Sequence, residues 1–365
     1  MNIKSLLLGS AAALVAVSGA RAADAIVVAE PEPAEYVRIC DVYGAGYYYI
    51  PGTETCLKIG GYLRYDIGVG DLFGIESEDK EDHFNRIHDN YNDTYFKRMR
   101  AQLTFDARSE TEYGTLRGYI ATYFQRDSFN NLAYTGDSWS DTQSAWALEH
   151  AIIQLGGLTI AYTDSLFETL TDSAGSVIND DIGVNYTPGK THLIAYTFDA
   201  GNGFSATVGV EEGSGELYTI DSYVPHVVAG ASFTQGWGKI AGVIGYDSVY
   251  GEVAGKVRVD VNVNEALSLW VMGGIGDGDK LNYYATWGGD WAIWGGGKYR
   301  FTEKAALDVQ LAYDDAETFG AAVGVNYELV PGFNIRPEVA YERVKLIGGG
   351  HEDGWGGYLR FQRSF

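Results

Sequence analysis

The sequence predicts an all-β chain, a sixteen-stranded antiparallel transmembrane β-barrel. Three observations predict it. Apolar and polar residues alternate over many short segments. The connections between those segments alternate between short and long. Beyond the N-terminal segment, no apolar run is long enough to cross a bilayer as a helix. Composition agrees: the chain has 48 Gly and 27 Tyr but 7 Pro, with aromatic residues at segment ends and Gly, Asn and Asp between segments.

The N-terminus has the pattern of a cleaved secretory signal over residues 1–22. Lys4 supplies the positive charge, Leu6 to Val17 the apolar stretch, and Ala20-Arg21-Ala22 the small-residue cleavage site. The mature chain is expected to start at Ala23. Without Lys4 and Arg21, 24 basic residues remain against 49 acidic ones. That balance argues against nucleic acid as a partner. It suits a hydrated surface or sites for divalent cations.

Residues 23–56 read as an N-terminal leader. Residues 23–35 are small, acidic and Pro-bearing, hence extended. Residues 36–56 carry Tyr47-Tyr48-Tyr49, a Pro51-Gly52 turn and the two cysteines of the chain, Cys40 and Cys56. In an exported protein an isolated close pair reads as a disulfide; two unpaired thiols are the alternative.

The barrel is expected over 57–365. Its first strand places Leu63, Tyr65, Ile67 and Val69 on one face and Tyr62, Arg64 and Asp66 on the other. In Tyr95 to Ala107, Met99, Ala101, Leu103 and Phe105 alternate with Arg98, Arg100, Gln102, Thr104 and Asp106. A sandwich would bury the apolar set; a membrane barrel would turn it to lipid and the polar set to a wet lumen. Loop lengths decide between them. Ser109–Glu112, Gly156-Gly157, Asp199–Asn202, Gln235–Gly238, Asn262–Glu265, Thr302–Lys304 and Leu329–Gly332 are short. Asp71–Thr94, Asp127–Thr142, Thr163–Asp181, Gly213–Tyr223, Asp277–Asp290 and Lys345–Gly354 are long. Connections near Tyr250 and Ala316 are short where the alternation calls for long ones. The count of sixteen requires Asp181 to Phe198 to be one strand, although it contains Pro188-Gly189, which a strand interior disfavours.

Later segments repeat the lumen pattern. Lys256, Arg258 and Asp260 alternate with Val257, Val259 and Val261. Lys298 and Arg300 alternate with Tyr299 and Phe301, and Asn334, Arg336 and Glu338 with Phe333, Ile335 and Val339. A packed sandwich core would reject these charges, whereas a water-filled lumen accepts them. The chain ends in an aromatic strand, Trp355 to Phe365, similar to the last-strand signal that outer-membrane proteins present to their insertion machinery.

Several stretches together resemble the alphaproteobacterial general porin family, outer-membrane porins of the Brucella and rhizobial type. They are CDVYGAGYYYIPGTETCLKIGGYLRYD (Cys40 to Asp66), QLGGL (Gln154 to Leu158), INDD (Ile178 to Asp181), GNGFSA (Gly201 to Ala206), WGGDWAIWGG (Trp287 to Gly296), YELVPGF (Tyr327 to Phe333) and the C-terminal WGGYLRFQRSF. They span essentially the whole mature chain. The resemblance implies a trimer of sixteen-stranded barrels whose third long loop folds into the lumen as a constriction. Counting places Thr163–Asp181 at that loop.

This stretch carries Asp164, Glu168, Asp172, Asp180 and Asp181 and no base. Leu166, Phe167, Leu170, Val177 and Ile178 are its expected anchors. A basic wall of Arg64, Arg98, Arg100 and Arg117 is expected opposite. Acidic and basic walls facing each other set a transverse field across the bore. The expected function is a passive channel for small hydrophilic solutes and ions in the outer membrane, set among lipid and lipopolysaccharide, with a mild cation preference. The alternative is a sugar-specific channel with an aromatic path, for which Trp270, Trp287 and Trp294 are available. Gly118, Gly255 and Gly273 would allow close packing of copies, and Asp127–Thr142 could latch onto a neighbour. An enzyme is not expected: the histidines are scattered, and no phosphate loop, zinc spacing or cofactor motif is present. His83 and His88, with Asp79, Asp82 and Asp89 nearby, read as part of a solvated charge run.

Overall fold

The computed structural model describes residues 38–81, 90–132, 138–346 and 348–365. The signal, residues 23–37 of the leader, and His83 and His88 therefore lie outside the described residues. Ile39–Phe365 forms one unit. Its strands, in chain order, are β1 (Tyr48–Tyr49), β2 (Cys56–Val69), β3 (Gly74–Glu78), β4 (Tyr91–Thr111), β5 (Gly114–Leu132), β6 (Ser138–Leu155), β7 (Leu158–Asp164), β8 (Lys190–Asp199) and β9 (Phe204–Glu211). There follow β10 (His226–Gln235), β11 (Gly238–Asp247), β12 (Glu252–Asn262), β13 (Leu267–Ile275), β14 (Trp291–Thr302), β15 (Ala305–Asp314), β16 (Phe319–Val330), β17 (Phe333–Lys345) and β18 (His351–Ser364).

All but β1 and β3 belong to the barrel. The sixteen pair antiparallel with their neighbours, and β18 returns to β2 from Gly357↔Val69 to Ser364↔Tyr62. Closure leaves no strand edge, which a sheet in hydrocarbon requires.

The distribution of burial is inverted relative to a soluble protein. On β12, Lys256 is 1% exposed and Arg258 5%, yet Val257 between them is 58% exposed. The same outward apolar row continues through Val271, Ile293, Leu311, Val323 and Val339. Such a surface is stable against lipid, not water.

Several boundaries differ from the sequence reading. β8 begins only at Lys190, so Pro188-Gly189 closes the third loop and does not interrupt a strand. The strand count survives because the loop is longer than Thr163–Asp181 and runs from Ser165 to Gly189. Asp127–Thr142 is mostly paired strand: the β5–β6 ladder continues to Leu132↔Ser138, and residues 133–137 lie outside the described residues. β17 and β18 are joined by 346–350, a shorter link than expected. The connections near Tyr250 and Ala316 are tight turns, as read.

Cys40 and Cys56 are disulfide-bonded, with Cα atoms 6.0 Å apart. They are buried with Tyr47, flanked by Tyr43 and Tyr49. The small lobe sits at the short-turn end. Tyr43 donates to Glu110 at 2.7 Å, and the Arg108 guanidinium lies 5.4 Å from the Tyr47 ring.

The largest apolar cluster lies inside the barrel. Phe167, Ala174, Val184 and Tyr186 from the third loop pack on Val228, Val243, Ala254, Met272, Ala292, Trp294 and Ala312 from the wall. Tyr283, Tyr284 and Trp287, from the loop between β13 and β14, join them. That loop also folds inward, and the Tyr284 ring leaves no room for a Cβ at Gly245, which it would meet at 2.5 Å.

Candidate functional site

The third loop starts at a fixed root. Lys190 bonds Asp164 at 3.1 Å and Glu149 at 2.8 Å across the top of β6, β7 and β8. Ser165 then caps a one-turn helix, Leu166–Thr169, accepting from the Phe167 amide at 3.1 Å. Glu211 of β9 takes the Ser165 hydroxyl at 2.8 Å and the Leu166 amide at 2.7 Å. This buried carboxylate satisfies donors that a short helix leaves open. Phe167 is sealed beneath, 5.0 Å from the Tyr284 ring and with Lys256 Nζ 4.7 Å from its centroid.

From there the backbone crosses the inner wall, clasped strand by strand. Asp172, at φ +58°, pairs with Lys239 of β11 at 2.7 Å. Arg258 of β12 donates to the Ser173 carbonyl and Arg336 of β17 to the Ser176 carbonyl. Ser176 Oγ donates to Asp308 of β15 at 2.8 Å. Glu338 of β17 accepts from the Ile178 amide, the Asn179 amide at 3.0 Å and Asn179 Nδ2 at 2.8 Å. Gln310 donates to the Asp180 carbonyl. On the way back, Trp294 Nε1 donates to the Val184 carbonyl at 2.9 Å and Lys256 Nζ to the Tyr186 carbonyl at 2.7 Å. The Ile182 carbonyl passes so close to Gly320 that a Cβ there would stand 2.2 Å away, so only glycine fits. Irregular backbone at membrane depth is stable only with such partners.

The clasping side chains come from β9 to β17. In ring order β12 is eight strands on from β4, half of the sixteen, so the loop is held to the wall across from β4 and its neighbours. All four predicted arginines are on that facing wall and point inward. Register puts Arg64 opposite Arg100 and Arg98 opposite Asp66 and Asp127. Two of the four are neutralised: Arg98 pairs with Asp127 at 2.8 Å, and Arg117 with Asp106 at 2.9 Å. The other two bond amides, Arg64 Nε to Gln362 at 2.9 Å and Arg100 Nε to Gln125 at 2.7 Å.

The five loop acids differ among themselves. Asp164 belongs to β7 and is paired with Lys190; Asp172 is paired with Lys239. Glu168 is folded into the loop, accepting from Thr187 Oγ1 and from Ser173 Oγ at 3.4 Å, and burial pushes its carboxyl up. Asp180 accepts from Tyr186 OH at 2.7 Å; burial, with the charge of Asp181 adding to it, pushes its carboxyl up to about 6. Asp181 is exposed. Of the expected anchors, Phe167 and Val177 are buried, Leu166 and Leu170 pack against the main cluster, and Ile178 is half-buried.

The sequence reading missed Glu211 and Gln310 and did not recognise Lys256, Arg258, Arg336 and Glu338 as clasps, though it placed those four on lumen faces. It also missed the inward Tyr283 and Tyr284, and offered Trp287 for an aromatic path, not as packing under the third loop. A run of aromatics in a long loop was their only local signal.

A closed barrel, apolar outside and polar inside, with a long loop bonded across its inner wall, defines an outer-membrane porin channel. The family described as Porin subfamily matches residues 24–352, and the chain belongs to it. The chain is 47% identical over 380 residues to Porin Omp2b of Brucella canis and 47% identical over 387 residues to Porin Omp2a of Brucella canis, each match covering all of both chains. Among solved structures, the outer membrane channel DcaP of Acinetobacter baumannii matches with a TM-score of 0.64 at 15% identity, over 87% of this chain and 99% of that one. A mutant of the Rh. blastica porin matches with a TM-score of 0.54 at 13% identity, over 85% of this chain and all of the other. At such identities these two likenesses concern the fold.

Proposed function

We propose that the chain is a general diffusion porin, a channel rather than an enzyme, passing small hydrophilic solutes and ions between the third loop and the wall formed by β18, β2, β4, β5 and β6. The observation that carries this reading is the clasping of the loop backbone by Glu211, Arg258, Arg336, Glu338 and Gln310, which fixes the loop against one side of the lumen. Asp180 and Asp181 supply the negative side of the bore; Arg64 and Arg100 supply the uncompensated positive side. The resulting field orients dipolar solutes and disfavours apolar ones. The acidic excess of the chain favours a mild preference for cations.

Three features bear on solute and assembly. Trp287 and Trp294 are buried under the loops, which speaks against an aromatic sugar path. Gly118 on β5 lies on the opposite side of the ring from Gly255 on β12 and Gly273 on β13, so one subunit face uses one set. A trimer is proposed through the face of β4 to β7, where Ala107, Gly118 and Ala151 form a depression rimmed by Ile120, Trp146 and Ile153. The remaining outer face meets lipid and lipopolysaccharide.

Reconstitution tests the reading. Liposomes carrying the protein should swell in neutral sugars at rates that fall with solute size alone. Saturation by one sugar would replace the general channel with a specific one.

A further inference from the structure

The short-turn end of the barrel carries a lobe, residues 39–55, that takes no part in the third-loop constriction. Period two turns Ile59, Leu63 and Tyr65 of β2 outward, so Cys56 and Lys58 face the lumen. On β4 the alternation that turns Phe105 and Ala107 outward brings Asp106, Arg108 and Glu110 to the lumen face.

The lobe is seated on these inward side chains and not on the outer surface. Tyr43 OH donates to Glu110 at 2.7 Å. The Arg108 guanidinium stands 5.7 Å from the Tyr43 centroid and 5.4 Å from that of Tyr47, a distance at which cation and ring attract. Lys58 Nζ donates to the Ala45 carbonyl at 3.2 Å and lies 5.7 Å from the Tyr47 centroid. The chain before β2 is therefore folded back into the mouth of the barrel, against the wall of β2 and β4.

Two fastenings hold it there. β1 pairs antiparallel with the start of β2, Tyr48↔Leu57 and Tyr49↔Cys56. The Cys40–Cys56 disulfide ties the beginning of the lobe to the first lumen-facing position of β2, and the Cys40 amide donates to the Tyr47 carbonyl at 3.0 Å. The barrel is closed by its own ladders, so what this cross-link fixes is the place of the lobe. Short turns of such barrels face the periplasm. The third loop is clasped at Arg258, Gln310 and Glu338, in the middle of β12, β15 and β17. The lobe stands at another depth and on the facing wall, where a solute that has cleared the loop leaves the bore.

We propose that the disulfide-fastened lobe is a second constriction of the channel, an exit-side sieve in which Tyr43 and Tyr47 narrow the periplasmic mouth for small hydrophilic solutes. The sieve rests on the channel reading given above. It selects by size, since pore diameter sets which solutes pass.

The test is single-channel recording of the full-length protein in planar bilayers, with polyethylene glycols of graded mass added to one chamber at a time. A polymer small enough to enter a mouth lowers the current, and one too large leaves it unchanged. Wild-type protein is compared with a Cys40→Ser, Cys56→Ser variant, which loses the cross-link, and a Tyr43→Ala, Tyr47→Ala variant, which keeps it and loses the rings on the wall. Larger polymers should enter both variants from the short-turn side, while the cut-off from the long-loop side stays at its wild-type value. Widening in one variant alone supports the sieve and shows which fastening holds it. A short-turn cut-off unchanged in both variants would overturn it, and so would equal widening from both sides, which means a loosened barrel. Openings in each variant show that the barrel has formed. If wild-type protein gives no openings, the channel reading itself fails; steady openings with an unaltered short-turn cut-off refute the sieve alone.

Discussion

Asp180 and Asp181 are adjacent in sequence but differ in setting, and the bore should register the difference. Asp180 is half-buried against Tyr186 with its carboxyl pushed up to about 6, whereas Asp181 is exposed. Lowering the pH from neutral through 6 should therefore neutralise Asp180 early and reduce cation preference well before an exposed carboxylate titrates. Reversal potentials across a salt gradient at a series of pH values check this, and a preference that is flat down to the ordinary carboxylate range contradicts it. The linkage has a definite sign. Between about 6 and 3.8 the folded loop binds this proton more tightly than the unfolded chain, so acid in that window stabilises the packed loop. Substitutions separate the acids further. Asp181→Asn should shift the reversal potential toward chloride. Asp164→Asn should leave it nearly unchanged, because Lys190 keeps Glu149 at 2.8 Å. Equal shifts from the two would mean that the paired charges line the bore as strongly as the exposed one.

The strands were legible in the sequence, whereas the route of the loop was not. Period-two alternation is a local signal, and it identified the inward faces of β2, β4, β12, β14 and β17 directly. The clasps are distant: Glu338 meets Asn179 across 159 residues. No local pattern encodes such a pairing, so Glu338 read only as a lumen residue. The start of β8 did have a local mark, Pro188-Gly189 directly before Lys190, but the strand count of sixteen called for one strand from Asp181 to Phe198 and overrode it. The disulfide was legible because two cysteines in an exported chain leave one intramolecular pairing. Its loop separation of 16 residues gives it a stabilising effect of about 3 kcal/mol. Replacing both cysteines by serine should lower the guanidinium unfolding midpoint of the lobe in detergent while channel openings persist. An unchanged midpoint would mean that the tyrosine packing around Tyr47 holds the lobe unaided.

At the scale of the whole molecule, the barrel supplies a wet lumen and two loops pack against one side of it. That side is covered by the third loop and the inward Tyr283, Tyr284 and Trp287, packed on the wall from β10 to β15. The other side is lined by Arg64, Arg98, Arg100, Arg117 and Arg360 with their carboxylate and amide partners. The general architecture was readable from loop lengths and alternation, since both report the topology of a closed sheet. The division of the lumen into a covered and an open side was not, because it depends on how two loops pack inside the closed ring. The central claim is that clasping of the loop to β17 sets the bore. Its most direct test is the single-channel conductance of a Glu338→Ala, Arg336→Ala variant beside the wild type. Freed from these partners, the tip around Ile178–Asn179 should give noisier openings, and the size limit for sugars in liposome swelling should change with it. Identical conductance, noise and size limit in the two proteins would contradict the account.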